Sequence, residues 1–411
     1  MCATTYNVYK IREDFPILDR LVNGKRLVYL DNAATTHKPI QVIEKLREFY
    51  VKYNANIHRG IHRLSQEASD LYDSARVEVA NLINAEPEEI IFVKNATEGV
   101  NLFAYGYGLW NLRPGDVVLN TLMDHHATIV PFHILSKKIG FRQYLIEITD
   151  DGYIDMGDLE DKLSLNPKIV TFPHVSNMLG TINDAKKLIK LAHRSGALTI
   201  LDATQSVPHM KVDVKDLDVD VMVFSAHKMC GPTGVGVVYI KRDLYDYMEP
   251  FLGGGDMIRK VSYNEEYIPI VEYNSPPIKY EAGTPNIAGV SVYPESIKYL
   301  LRIGFDNIHR HIKNLVEELY EGMNNIKGIA IYGPDNLKDR AGLITFNVKG
   351  LSAHEVAAYL DSEGIAIRSG HHCTGPLHKR LGISSSARIS FYIYNTFEEV
   401  EYVLDKLRLL S

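Results

Sequence analysis

Seven short apolar runs between residues 90 and 240 constrain this chain more than any other feature. They are Ile-Ile-Phe-Val (90–93), Val-Val-Leu-Asn (117–120), residues 141–148, residues 168–172, Ala-Leu-Thr-Ile-Leu-Asp (197–202), Val-Asp-Val-Met-Val-Phe-Ser-Ala-His-Lys (219–228) and Val-Gly-Val-Val-Tyr-Ile (235–240). Gly231, Pro232, Gly234 and Gly236 break the chain around the start of the last run. Helical spacing occupies about 66–84, 129–139, 156–163 and 184–194, and another helix opens at Lys94-Asn95-Ala96-Thr97-Glu98-Gly99. Short continuous apolar runs bounded by turn residues fit buried strands. Alternation of such strands with helices argues an α/β chain with a mostly parallel sheet. In sheets of this kind ligands gather at the carboxyl ends of the strands, where Asp202 and Lys228 fall.

On either side the pattern is less regular. Arg-Leu-Val-Tyr-Leu (26–30) reads as a short strand and Asp31-Asn32-Ala33-Ala34-Thr35-Thr36 as a turn of small residues. Pro39 opens a helix with Ile40, Ile43, Leu46, Phe49 and Tyr50 at helical spacing. A polar loop dense in His and Arg covers 54–63. Residues 251–282, interrupted by Gly253, Gly254, Gly255, Pro269, Pro276 and Pro277, read as an irregular stretch wrapping the site or a partner subunit. Helical patterns at 286–302 and 304–326 lead to an α+β part with strands at 341–348 and 387–393 and helices at 352–362 and 396–410.

The chain's 411 residues suffice for a large core and suggest two or more domains. A net charge of −6 gives no reason to expect nucleic acid or an anionic membrane as a partner. No apolar run is long enough to span a bilayer, and the first residues do not read as a signal peptide. Three cysteines, at 2, 230 and 373, make no disulfide framework, which fits a reducing cytosol. A cytoplasmic enzyme is the expectation.

Asp202 and Lys228 carry the first chemical signal. A lysine that forms a Schiff base must be desolvated enough to lose its proton. A carboxylate facing a pyridine nitrogen keeps that nitrogen protonated and makes the ring an electron sink. Taken alone, Lys228 reads as a solvated loop lysine, Asp202 as a strand-end acid and Thr97 as an everyday helix cap. The spacing Asp202-x-x-Gln205, followed by Ser225-x-His227-Lys228, shifts the balance. These stretches resemble the pyridoxal-phosphate site of the class V aminotransferases, and specifically the group II cysteine desulfurases of the SufS type.

The resemblance covers nearly the whole chain. It implies the fold type I of pyridoxal-phosphate transferases. A large, mostly parallel-sheet cofactor domain would span 25–300, and a smaller α+β domain would comprise 1–24 and 301–411 and carry the catalytic cysteine loop. It also implies a homodimer. Lys228 would be the Schiff-base lysine, Asp202 the partner of the pyridine nitrogen and Gln205 the donor to the phenolic oxygen. His125 would stack on the ring, although alone it reads as a histidine packed at a helix start. Thr97, Ser225 and His227 would hold the phosphate, with Thr284 reaching over from the other subunit. Relatives usually carry two threonines before the Glu-Gly, and Ala96 replaces the first. That loses a hydroxyl worth about 1 kcal/mol if nothing replaces it. Asn177 would lie beside substrate and ring. Arg388 would fork onto the substrate carboxylate, with Arg368 also in the substrate site.

Arg368-Ser369-Gly370-His371-His372-Cys373 decides among the chemistries of this fold. Without a cysteine to attack sulfur, the enzyme could be a transaminase or a lyase. A lone cysteine is commonly a small buried hydrophobe, but this loop is polar, with Arg368 near, and precedes Arg388 as in the desulfurases. The implied reaction turns L-cysteine into L-alanine and leaves the sulfur on Cys373 as a persulfide. The sulfur would pass to an acceptor protein or cluster scaffold for iron–sulfur assembly, and L-selenocysteine is the alternative substrate. A reading of a different class makes His125, His126, His371, His372 and Cys373 ligands of zinc. No CxxC or HxxxH spacing supports that reading, and no metal is expected. Cys230 reads as a filler in the glycine turn and Cys2 as inert. Only 15 residues separate Cys373 from Arg388, so the short loop should hold Cys373 near the cofactor and poorly exposed to solvent reductants.

Overall fold

The apolar runs become strands because β-branched and aromatic side chains suit a pleated surface packed on both faces. In the computed structural model, which describes residues 6–410, seven of them form one sheet. They are β1 (Ile90–Val93), β2 (Val117–Thr121), β3 (Arg142–Ile146), β4 (Ile169–Pro173), β5 (Leu198–Asp202), β6 (Val221–Ser225) and β7 (Gly236–Ile240). Their order is β1-β7-β6-β5-β4-β2-β3. Every pairing from β6 to β3 is parallel, and β7 runs antiparallel to both its neighbours. The sheet is therefore mostly parallel, as the alternation predicts. Cys2 lies outside the described residues.

Successive residues of one strand enter different cores. Val221 and Val223 of β6 join one apolar cluster, and Met222 and Phe224 join the other. Helices cover the sheet: α1 (Arg63–Ile83), α2 (Ala96–Phe103), α3 (His126–Ile139) and α4 (Ala185–Arg194), with α2 packed on β6 and β7. No helix among the described residues is long and apolar enough to cross a membrane.

The expected irregular stretch at 251–282 contains regular structure. Within it, β8 (Ile258–Tyr263) and β9 (Pro269–Tyr273) form an antiparallel hairpin. It escaped the sequence reading because its apolar side chains are not buried. Val261, Tyr263, Ile270, Val271 and Tyr273 are all exposed, so no buried alternation marks the strands.

The C-terminal part is a second sheet of β10 (Ile329–Tyr332), β11 (Leu343–Val348), β12 (Arg368–Gly370) and β13 (Ser386–Ser390), in the order β10-β11-β13-β12 and antiparallel throughout. Short β10 and β12 carry too few buried residues to announce themselves. Helices α5 (Ile287–Ile303) and α6 (Phe305–Asn324) lead into this part, and α7 (Ala353–Ser362), α8 (Gly375–Arg380) and α9 (Phe397–Arg408) complete it. The N-terminal segment is tied to it by a buried pair, Arg12 to Glu399 at 2.7 Å. A parallel bridge from Asp31 to Ser390 anchors the turn of small residues beside β13. That bridge and the register Arg368 opposite Arg388 bring the second sheet to the mouth of the first.

Candidate active site

A pocket of about 260 Å³ opens where the strands of the large sheet end. Asp202 closes β5, Ser225 closes β6, His125 follows β2 and Asn177 follows β4. From the second sheet come Arg368, Cys373 and Arg388. Adjacent strand ends separate their loops and leave a crevice, the usual ligand position in such sheets. Within one chain the structure brings together Thr97, His125, Asn177, Asp202, Gln205, Ser225, His227, Lys228, Arg368, Cys373 and Arg388.

Lys228 sits on a short turn after β6, and its amine takes part in no hydrogen bond among the described residues. Burial lowers its pKa to about 8, with Arg388 and Arg368 pushing the same way and Asp202 opposing them. The backbone beside it is fixed from the 31–36 turn, since the His227 carbonyl accepts from the Thr36 N–H at 3.0 Å and the Thr35 hydroxyl at 3.1 Å. Asp202 accepts the Thr204 N–H through Oδ1 at 3.0 Å, and its second oxygen has no partner among the described residues. Gln205 donates to the Ala33 carbonyl at 2.8 Å.

His125 caps α3, its Nδ1 accepting the Ala127 N–H at 3.1 Å. Burial lowers its pKa to about 4, so its ring is neutral at physiological pH. His227 is likewise lowered to about 4, by burial first and then by Lys228 and Lys38. Its Nδ1 lies 3.1 Å from the Thr35 hydroxyl. At the start of α2 the Ala96 N–H donates to Ser225 Oγ at 2.9 Å, while the Thr97 hydroxyl has no partner among the described residues. Thr284 is not brought to this pocket. It is exposed in the 282–286 segment, whose neighbours Gly283, Pro285 and Asn286 line a different cavity.

Arg388 is almost wholly buried. It donates to the Asn177 carbonyl at 2.8 Å and to Asp31 at 3.3 Å, and its Nε has no partner among the described residues. Arg368 reaches the other oxygen of Asp31 at 3.7 Å. Sequence reasoning missed Asp31. The available signal was a lone carboxylate at the head of the 31–36 turn, but only the fold places that turn against both arginines.

Cys373 corrects one expectation: it is exposed in the chain, not shielded. His372 and Cys373 both adopt left-handed backbone, at φ 50° and 58°, which turns the loop up to the open rim of the pocket. Non-glycine residues in that region carry strain of order 1 kcal/mol each and persist where neighbours over-determine them. Here Asn177 Nδ2 donates to the His372 carbonyl at 2.8 Å, and His372 Nε2 lies 3.0 Å from the Ser386 carbonyl. Cys230 is fully buried, and burial pushes its thiol up to about 12, so it is chemically quiet. No group of three or more His, Cys, Asp or Glu among the described residues is placed to hold a metal ion.

Comparison with known proteins gives a consistent picture. The family described as Aminotransferase class-V matches residues 28–403. A cysteine desulfurase of Haloferax volcanii is 45% identical over 98% of this chain and 96% of its own. A probable cysteine desulfurase of Staphylococcus aureus is 46% identical over 99% of this chain and 98% of its own. Among solved structures, the apo structure of cysteine desulfurase from Thermococcus onnurineus NA1 superimposes with a TM-score of 0.93 at 41% identity, covering 100% of this chain and 99% of that one. The cysteine desulfurase CsdA (S-sulfonic acid) from Escherichia coli gives 0.89 at 30% identity, covering 99% of this chain and 100% of that one.

Proposed function

The chain belongs to the class V aminotransferase family, and from that premise we propose that it is a cysteine desulfurase that turns L-cysteine into L-alanine and takes the sulfur onto Cys373 as a persulfide. The observation that carries this reading is one pocket lined by an unpaired lysine amine, a half-free aspartate and a rim cysteine. Pyridoxal phosphate is the cofactor, and the residues present fit it. Lys228 offers a free amine of lowered basicity, Asp202 a free oxygen, and the start of α2 an unused hydroxyl on Thr97 beside backbone N–H groups. When bound, the cofactor supplies the electron sink that lets bonds at the substrate's Cα and Cβ break.

The chain's own residues do the rest. Lys228 would hold the cofactor, and its free amine, of lowered basicity, would take the Cα proton of bound substrate. With the cofactor bound, Asp202 would pair with the ring nitrogen, Gln205 would donate to the ring oxygen, neutral His125 would pack on the ring, and Thr97, Ser225 and His227 would hold the phosphate. Arg388 and Arg368 receive the substrate carboxylate, with Asn177 beside it. Cys373 then attacks the substrate's sulfur: a sulfur–sulfur bond forms as the carbon–sulfur bond breaks. Mass spectrometry after exposure to L-cysteine tests the reading. The peptide carrying Cys373 should gain the mass of one sulfur atom, with one alanine released per subunit. Sulfur on another cysteine, or alanine released with none retained, would sink it.

The reading extends to assembly. Thr284 stands exposed away from its own pocket, which suits completion of a neighbour's phosphate site in a homodimer. Sedimentation should then find a dimer at working concentration, and a fully active monomer would rule the arrangement out. A sulfur-acceptor protein or cluster scaffold in the cytoplasm, feeding iron–sulfur assembly, completes the proposal. Placement of this chain in the SufS-type group rests on the resemblance of the Asp202–Gln205 and Ser225–Lys228 stretches, and the short Cys373–Arg388 interval is compatible with it.

A further inference from the structure

We infer that His126 is the positioning residue for the sulfur-accepting cysteine: it clasps the Cys373 loop from both sides and fixes it against the helix that carries His125. This rests on the reading of Cys373 as the sulfur acceptor. Two contacts carry it. The backbone N–H of His126 donates to the Cys373 carbonyl at 2.8 Å. The ring Nε2 of the same residue accepts the N–H of Gly375, two positions further on, at 2.9 Å. One residue thus holds the backbone before and after Thr374, immediately past the reactive side chain.

The arrangement follows from local structure. His126 is the first residue of α3, where backbone N–H groups have no partner inside the helix and must find one elsewhere. The Cys373 carbonyl supplies it. Gly375 lets the ring approach closely, since a Cβ there would make a tight contact of 3.3 Å with Nε2. To accept a hydrogen bond, Nε2 must be unprotonated, and burial together with the neighbouring His371 lowers the pKa of His126. His378 lies on the far side of this cluster, its ring 5.3 Å from that of His371.

The clasp explains how an exposed loop keeps two consecutive left-handed residues. Asn177 and Ser386 anchor His372. Cys373 has no such side-chain anchor, and its carbonyl is held by His126 alone among the described residues. Since His125 and His126 are adjacent, the ring-facing imidazole and the nucleophile's loop are set by one helix start. Attack on sulfur needs its partner placed to within a fraction of an ångström, and a misplacement of about 1 Å can slow a reaction about 100-fold.

The experiment uses the holoenzyme with His126→Leu, which keeps bulk without an acceptor, and His126→Gln, whose amide oxygen can accept the same N–H. In the leucine variant, single-turnover persulfide formation should fall by about 10- to 100-fold. KM for L-cysteine and the visible colour of the cofactor should stay within about twofold, because neither the Arg388 corner nor Lys228 is touched. Deuterium exchange at the Gly375 amide should quicken about tenfold. Glutamine should restore both rates to within about threefold. Persulfide formation at the wild-type rate in His126→Leu, or no recovery in His126→Gln, overturns the inference. If the leucine variant does not fold, His126→Ala removes the same acceptor and should produce the same slowing at constant KM; an unchanged rate there overturns it equally. If the wild type takes up no sulfur at all, the function proposed above fails instead, and amide exchange alone decides on the clasp.

Discussion

Alanine at position 228 is expected to lower turnover by about 10⁴-fold, the upper end of what a positioned acid–base group contributes. In the proposed reaction Lys228 would do two things, bind the cofactor and move the substrate's Cα proton. Both need its unprotonated amine. Burial is what supplies that amine near neutrality, by lowering the pKa to about 8. The sign is testable on the wild type stripped of cofactor. A lowered lysine pKa makes the amine progressively protonated as pH falls below about 8, so capture of added pyridoxal phosphate should slow about tenfold per pH unit there and level off above it. Borohydride reduction of the loaded protein followed by peptide mapping should place the label on Lys228. A label on another lysine, or full activity of the alanine variant, would sink the assignment.

The second large effect belongs to Cys373→Ala. Sulfur transfer should fall by at least about 10³-fold, since deleting a nucleophile from an otherwise intact site can cost up to about 10⁶-fold. The fold should not notice. Cys373 is exposed, so stability should shift by no more than a surface substitution does, about 0.5 kcal/mol. The variant should remain coloured, respond spectrally to L-cysteine and retain no sulfur. Loss of colour would instead make the cysteine a structural residue.

The large sheet was legible because its strands are buried on both faces and announce themselves as unbroken apolar runs. The hairpin at 258–273 and the short strands β10 and β12 were not, since exposed strands, and strands of three or four residues with none buried, leave no periodic trace. The lysine, aspartate and histidines of the pocket were legible through spacing and resemblance together. Asp31 and His126 were not, for a physical reason. Their roles arise from contacts across more than 240 residues of chain, Asp31 with Arg388 and His126 with Gly375, and nothing local marks them. The exposure of Cys373 was misjudged because loop length was taken to set its burial, whereas left-handed backbone at 372 and 373 sets it.

Arg368 and Arg388 stand opposite each other across β12 and β13, with Asp31 shared between them. Two guanidinium groups against one carboxylate leave that corner one positive charge in excess. An entering carboxylate brings it to neutrality, and the attraction is indifferent to the side chain behind it. Serine and alanine should therefore dock there about as readily as cysteine. On the proposed reaction, choice among amino acids would then fall on the chemical step at Cys373 and not on affinity, and amino acids without sulfur should act as competitors that raise the apparent KM for L-cysteine.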